Sequence, residues 1–179
     1  MVTEDKLKQL EQPLEESSLD VQGFESPRTL MEAADEDLVP LLELAHRPVI
    51  SARQFNIEQL VQISRLAARF ETEPQRMNRP LTGKILISAF YEPSTRTRLS
   101  FESAWHRLGG AIMSISDTAT TGIAKAVTLY DVGEILNHYG DLIVLRDSDE
   151  KSVYEMMESL RITIVNGGNG IDEHPTQAM

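Results

Sequence analysis

Apolar and polar positions follow two different periods along this chain, and the switches between them mark its elements. From Gln54 to Phe70, the residues Ile57, Leu60, Val61, Ile63, Leu66, Ala67 and Phe70 recur at helical spacing. Glu71-Thr-Glu-Pro74 predicts the stop of that helix. Gly83–Phe90 (GKILISAF) is a short apolar run bounded by turn signals, which predicts a buried strand. Arg96–Leu108 predicts a helix closed by Gly109-Gly110. Ala111–Ile115 (AIMSI) predicts a second strand, and Thr128–His138 a helix stopped near Gly140. Asp141–Leu145 (DLIVL) predicts a third strand and Val153–Leu160 a short helix. Arg161–Asn166 (RITIVN) predicts a fourth strand, followed by the loop GGNGIDEHPTQ.

Strands that are apolar almost throughout, alternating with helices, predict βαβ units. The expected fold class is therefore α/β, a parallel four-stranded sheet flanked by helices in a Rossmann-like arrangement. Ligands of such sheets gather beyond the carboxyl ends of the strands. Ser94–Arg98, Arg146 and His174–Gln177 all follow an expected strand. That convergence is the strongest argument local physics offers for a site.

The first part of the chain reads differently. Residues 1–25 lack sustained periodicity and are expected to be flexible. Ser26-Pro27 predicts a helix start, with Leu30, Met31, Leu38, Leu41 and Leu42 as an apolar face. Charge supports a division. The formal charge of the 179 residues is −11, but residues 1–45 carry 12 acidic and 3 basic side chains, against 16 and 14 in residues 46–179. Two parts are expected: an acidic, largely flexible extension over 1–45 and a folded domain over 46–179. The extension reads as a solvated arm with one docked helix, or as an arm that binds a partner.

Composition then removes several function classes. No basic stripe suits nucleic acid. No apolar run approaches the ~18 residues of a membrane span. The acidic start is the reverse of a secretory leader. The chain has no Cys, so thiolate metal sites and disulfides are excluded, and a reducing cytoplasm fits. No His/Asp/Glu cluster has metal spacing, and neither GxGxxG nor a Walker A loop is present.

Three short segments carry chemistry. Ser94-Thr-Arg-Thr-Arg98 stands where a helix begins, and a helix N-terminus presents unpaired N–H groups and partial positive charge. Ser94, Thr95 and Thr97 add hydroxyls, and Arg96 and Arg98 add forks suited to phosphate or carboxylate. The plainer alternative is a capped helix with exposed arginines, one of them pairing with an acid along the helix. Arg146 precedes Asp147-Ser-Asp-Glu150 and could make a surface ion pair. His174 is held extended by Pro175, and Gln177 offers a donor and an acceptor.

FYEPSTRTRLSFE, then HRLGG, then Arg146 after a strand, then HPTQ, together resemble the aspartate/ornithine carbamoyltransferase family, from about His46 to the last residue. The resemblance implies a carbamoyl-phosphate domain. In it Ser94, Thr95, Arg96 and Thr97 would hold the phosphate. Thr97, Arg146 and His174 would polarise the carbamoyl oxygen, and Gln177 would accept from the carbamoyl NH₂. The implied reaction is attack of an amine on the carbonyl carbon with phosphate leaving, without cofactor or covalent enzyme intermediate. Glu92-Pro93 and the NGGNG approach resemble the aspartate branch, which makes L-aspartate the expected second substrate and pyrimidine synthesis the expected role; the ornithine branch is the alternative. The implied assembly is a homotrimer, with a regulatory or second-enzyme chain as a further candidate partner. A loop from the neighbouring subunit would carry Thr121 and Lys125 into the site, although Lys125-Ala-Val-Thr128 stands where the family has Lys-Gly-Glu-Ser/Thr. The family's second domain, which binds the amino acid, is missing from these 179 residues. The chain is thus expected to be a fragment or truncated relative, inactive by itself, with Glu92 lacking the interdomain partner the family gives it. A non-catalytic structural or regulatory relative is the rival expectation.

Overall fold

The computed structural model describes residues 37–73, 78–116 and 127–178. The expected helix start at Ser26-Pro27, with Leu30 and Met31, lies outside them. A short helix α1 (Val39–Leu42) and one 3₁₀ turn (Ala52–Gln54) lead into the long helix α2 (Ile57–Thr72). Then follow β1 (Ile85–Phe90), α3 (Thr95–Arg107), β2 (Ala111–Ile115), α4 (Leu129–Leu136), β3 (Leu142–Asp147), α5 (Ser152–Met157), β4 (Thr163–Asn169) and α6 (Pro175–Ala178).

All strand pairings are parallel, and the sheet order is β2-β1-β3-β4. The expected α/β class and four-stranded parallel sheet are what the chain forms. The chain enters at β1, steps outward to β2, then crosses to β3 on the other side. Strand order reverses between β1 and β3, and that is where a crevice opens beyond the carboxyl ends. Register brings Phe90 of β1 opposite Arg146 of β3.

Both faces are covered, so the central strands are apolar almost throughout. Ile87, Ala89, Ile143, Leu145 and Ile164 pack with Val132 and Leu136 of α4 and Val153 and Met156 of α5. Leu86, Phe90 and Val144 pack with Phe101 and Trp105 of α3. Burying one such side chain stabilises by about 1.5–3 kcal/mol, which makes this sheet a firm base for groups at its ends.

Element bounds shift from the expectation for local reasons. The Gln54 side chain accepts from the backbone of Ser51, so residues 52–54 form a capped turn of their own. Helix α2 therefore starts at Ile57, where Asn56 and Gln59 make a reciprocal capping box. Its apolar face is only partly the buried one. Gln59, Gln62 and Ala68 are buried, while Ile57 and Val61 are exposed. Gln59 donates to the Pro40 carbonyl, and Gln62 accepts from the Asp37 N–H, so α1 covers the polar side. Of the expected 38–42 face, Leu38 and Leu42 are exposed.

The larger correction concerns GGNG. Its first three residues are strand and not loop: β4 continues through Asn169, and only Gly170 turns. Between Leu145 and Asp147 of β3 the partner strand advances from Asn166 to Asn169, so β4 bulges opposite Arg146. The glycines permit it, since Gly168 has φ +115°. The expected loop also ends early, because Pro175 opens α6, while His174 before it lies outside the helix.

Candidate functional site

Beyond the carboxyl ends of β1, β3 and β4 lies an open cleft of 540 Å³, lined by Ser94, Arg96, Thr97, Ser100, Phe101, Ala104, Arg146, His174, Thr176 and Gln177. Six of the expected site residues meet there. Thr95 is the first residue of α3 but does not line the cleft. Thr121 and Lys125 lie outside the described residues.

One wall is the start of α3. Ser94 is its N-cap by backbone, accepting from the Arg98 N–H, yet its hydroxyl makes no capping bond. A Ser in this position usually satisfies one of the orphan N–H groups. Here the hydroxyl stays available and the first-turn N–H groups face the cleft end, an arrangement suited to an anion. No acidic residue stands in that first turn.

The two arginines of the motif divide. Arg98 points along the helix and approaches Glu102 at 4.0 Å. Glu102 is further fixed by the hydroxyls of Ser88 (2.8 Å) and Ser114 (3.1 Å), which ties α3 to β1 and β2. Arg96 makes no ion pair among the described residues and lines the cleft as an open cation.

A second wall is Arg146, from β3, and His174, from the turn after β4. Arg146 does not pair with the acids that follow it. Its Nη2 donates to Glu92 Oε1 at 3.1 Å, and its Nη1 donates to the Gly167 carbonyl at 3.0 Å. Glu92, expected to lack a partner, therefore has one within this domain. Sequence distance hid that pair: β1 and β3 are adjacent only through the sheet order. Arg146 Nε and His174 Nε2 are buried and make no hydrogen bond. Buried polar atoms are ordinarily paired, so two orphans on one wall mark a place for a ligand's oxygen.

Burial, and then the Arg146 guanidinium, hold the His174 pKa below its ordinary 6.5. The ring is neutral near pH 7, and Thr176 Oγ1 lies 3.5 Å from Nδ1. In the tautomer in which Nδ1 accepts from that hydroxyl, Nε2 carries the proton and is a donor without a partner. The sign for stability follows. The unfolded chain binds this proton more readily, so the stability present above the ordinary histidine pKa is lost as pH falls towards the lower folded value. Thermal melts from about pH 7.5 to about pH 5 should show a shallower acid-side decline for His174→Gln than for the wild type. Parallel curves would mean that His174 keeps its ordinary value.

Several contributors had no signature in the sequence. Ser100, Phe101 and Ala104 line the cleft because they form the next turns of α3 along the same side, Phe101 being partly buried against the core. Spacing of three and four residues from Thr97 could have found them. Among the described residues no group of three or more His, Asp or Glu side chains is placed to hold a metal ion, and no helix is long and apolar enough to cross a membrane.

Comparison with known proteins gives this arrangement a context. The family model described as "Aspartate/ornithine carbamoyltransferase, carbamoyl-P binding domain" matches residues 47–179. The aspartate carbamoyltransferase catalytic subunit of Thermococcus onnurineus is 40% identical over 143 residues, which are 77% of this chain and 45% of that protein. The subunit of the same name from Pyrobaculum calidifontis is 42% identical over 133 residues, 74% of this chain and 44% of that one. Among solved structures, aspartate transcarbamoylase from Trypanosoma cruzi in complex with carbamoyl phosphate superposes with a TM-score of 0.73 at 32% identity, covering 79% of this chain and 47% of that chain. The chain thus spans about 45% of the length of the curated relatives it matches.

Proposed function

We propose that this chain, which belongs to the aspartate/ornithine carbamoyltransferase family, forms the carbamoyl-phosphate half-site of an aspartate carbamoyltransferase. The observation that carries this reading is the polarity of one cleft. An anion-binding helix start with the open cation Arg96 stands on one wall, and two donors with orphaned polar atoms stand on the other. A small molecule with a phosphate at one end and a carbonyl at the other fits that division.

Ser94, Arg96 and Thr97 hold the phosphate, with the α3 N–H groups, and Thr95, whose side chain does not line the cleft, takes part only through its backbone N–H. Arg146, His174 and Thr97 donate to the carbamoyl oxygen, and Gln177 accepts from the NH₂. When the aspartate amine forms its C–N bond, the carbonyl oxygen gains negative charge. The guanidinium and the neutral imidazole stabilise that charge without moving. The C–O bond to phosphate then breaks, a proton passes from the new nitrogen to the departing phosphate, and phosphate leaves into the group of donors that already holds it. Catalysis in this scheme is positioning and electrostatics.

The whole-protein reading extends this. The named relatives are aspartate enzymes, which favours aspartate over ornithine as acceptor. The aspartate-binding part lies outside the present residues, and a homotrimer whose neighbour contributes Thr121 and Lys125 completes the site. The family match begins at residue 47, beside the charge break, and supports a domain over 46–179 preceded by an acidic extension. Pyrimidine synthesis in the cytoplasm is the corresponding role.

Calorimetric titration of the chain tests the reading. Carbamoyl phosphate should bind more tightly than inorganic phosphate, by about tenfold or more if one charge-assisted bond to the carbonyl is made. Equal affinity for the two, or none for either, would overturn it.

A further inference from the structure

We infer that the buried amides Asn166 and Asn169 are positioning residues, which hold the Gly167 carbonyl and the His174 ring where the carbonyl end of the cleft needs them. The inference rests on the functional reading above and concerns that same site.

Both side chains are almost fully enclosed, at 0% and 1% exposure. Enclosing a primary amide is unfavourable unless its hydrogen-bonding groups are paired. These two are paired with backbone that leads to the site. Asn166 Oδ1 accepts from the Gly168 N–H at 2.8 Å. That bond spans the β4 bulge and fixes the one peptide group that carries both the Gly168 N–H and, on its other side, the Gly167 carbonyl that accepts from Arg146. Asn166 Nδ2 donates to the Ile50 carbonyl at 3.0 Å and to Asn169 Oδ1 at 2.8 Å. Asn169 Oδ1 also accepts from the Glu173 N–H at 3.2 Å, and the Asn169 N–H donates to the Glu173 carbonyl. The reversal between Asn169 and Glu173 is thereby closed at both ends, and the next residue is His174. Asn169 Nδ2 anchors the assembly to the Glu150 carbonyl at 2.6 Å.

Neither amide hydrogen-bonds with Ser94 or Arg96. Their loss should therefore loosen the Arg146–His174 wall and leave the phosphate wall alone. A merely structural pair of asparagines would instead lower stability and change both ligands' affinities alike, or neither.

The test titrates wild type and Asn166→Ala with inorganic phosphate and with carbamoyl phosphate. It also follows the His174 ring by NMR across pH in the ligand-free chain. The variant is expected to keep phosphate affinity within about twofold and to lose most of the preference for carbamoyl phosphate, about tenfold or more. The His174 titration should move up towards its ordinary value, because a loosened ring gains water. An intact preference together with an unmoved His174 titration would overturn the inference. A wild type with no preference would overturn the functional reading instead, and the NMR arm would still decide whether the amides position the ring. If Asn166→Ala does not fold, Asn169→Ser carries the same comparison, since it removes the anchor to Glu150 while keeping a short polar group beside Glu173.

Discussion

Arg96→Ala is expected to weaken binding of carbamoyl phosphate and of inorganic phosphate together, each by about 1.5–3 kcal/mol, roughly tenfold to a hundredfold. The equality of the two losses is the diagnostic part. Arg96 stands at the first turn of α3, on a different element from Arg146 and His174, and it is the open cation of that wall. It can serve only what lies at the helix start, so removing it should not change the preference between the two ligands. Folding should be nearly unaffected, because Arg96 is exposed and makes no ion pair among the described residues. Arg98→Ala makes the contrast. It removes the approach to Glu102, and its effect should appear in stability before affinity. Titration calorimetry of Arg96→Ala with both ligands checks this, and affinity for phosphate equal to the wild type would refute the role.

That pair of arginines shows what the sequence held and what it withheld. The motif Ser94–Arg98 announced an anion site because helix starts and hydroxyls are local features. Which arginine faces the ligand was not local. It depends on Glu102 being held by Ser88 in β1 and Ser114 in β2, and so on strand pairing. Arg146 was legible as a strand-end residue, but its partners were not. Glu92 lies 54 positions away, and only the β1–β3 adjacency brings the two together. Helix α2 misled in another way. Its periodicity reported Ile57 and Val61 correctly as one stripe, yet the buried stripe runs through Gln59 and Gln62, because their amides bond to the segment that crosses them. Helical periodicity records apolar spacing, and it does not record which polar groups a neighbouring backbone will satisfy. In GGNG the error came from composition. Glycine and asparagine normally mark loops, while here they allow a strand to bulge and continue.

The bulge also locates the second large effect, Gly168→Ala. A Cβ built on Gly168 would collide with Arg146 Nη1 and stand 3.2 Å from His174 Cδ2. A guanidinium tip can ordinarily swing away from such a contact. This one is held by the Gly167 carbonyl and by Glu92, so it can move only by giving up one of them. The backbone adds its own constraint, because φ +115° is strained for any residue with a side chain and costs about 1–3 kcal/mol. The expected result is a lower melting temperature together with loss of the carbonyl-end contribution, about 1.5–3 kcal/mol of carbamoyl phosphate affinity. Phosphate affinity should remain close to wild type, since α3 is untouched. Arg96→Ala and Gly168→Ala would then separate the cleft into its two ends, one variant losing both ligands equally and the other losing only the difference between them. If Gly168→Ala instead weakened phosphate as strongly as carbamoyl phosphate, the two walls would not act independently, and the division of labour between α3 and the Arg146–His174 wall would have to be abandoned.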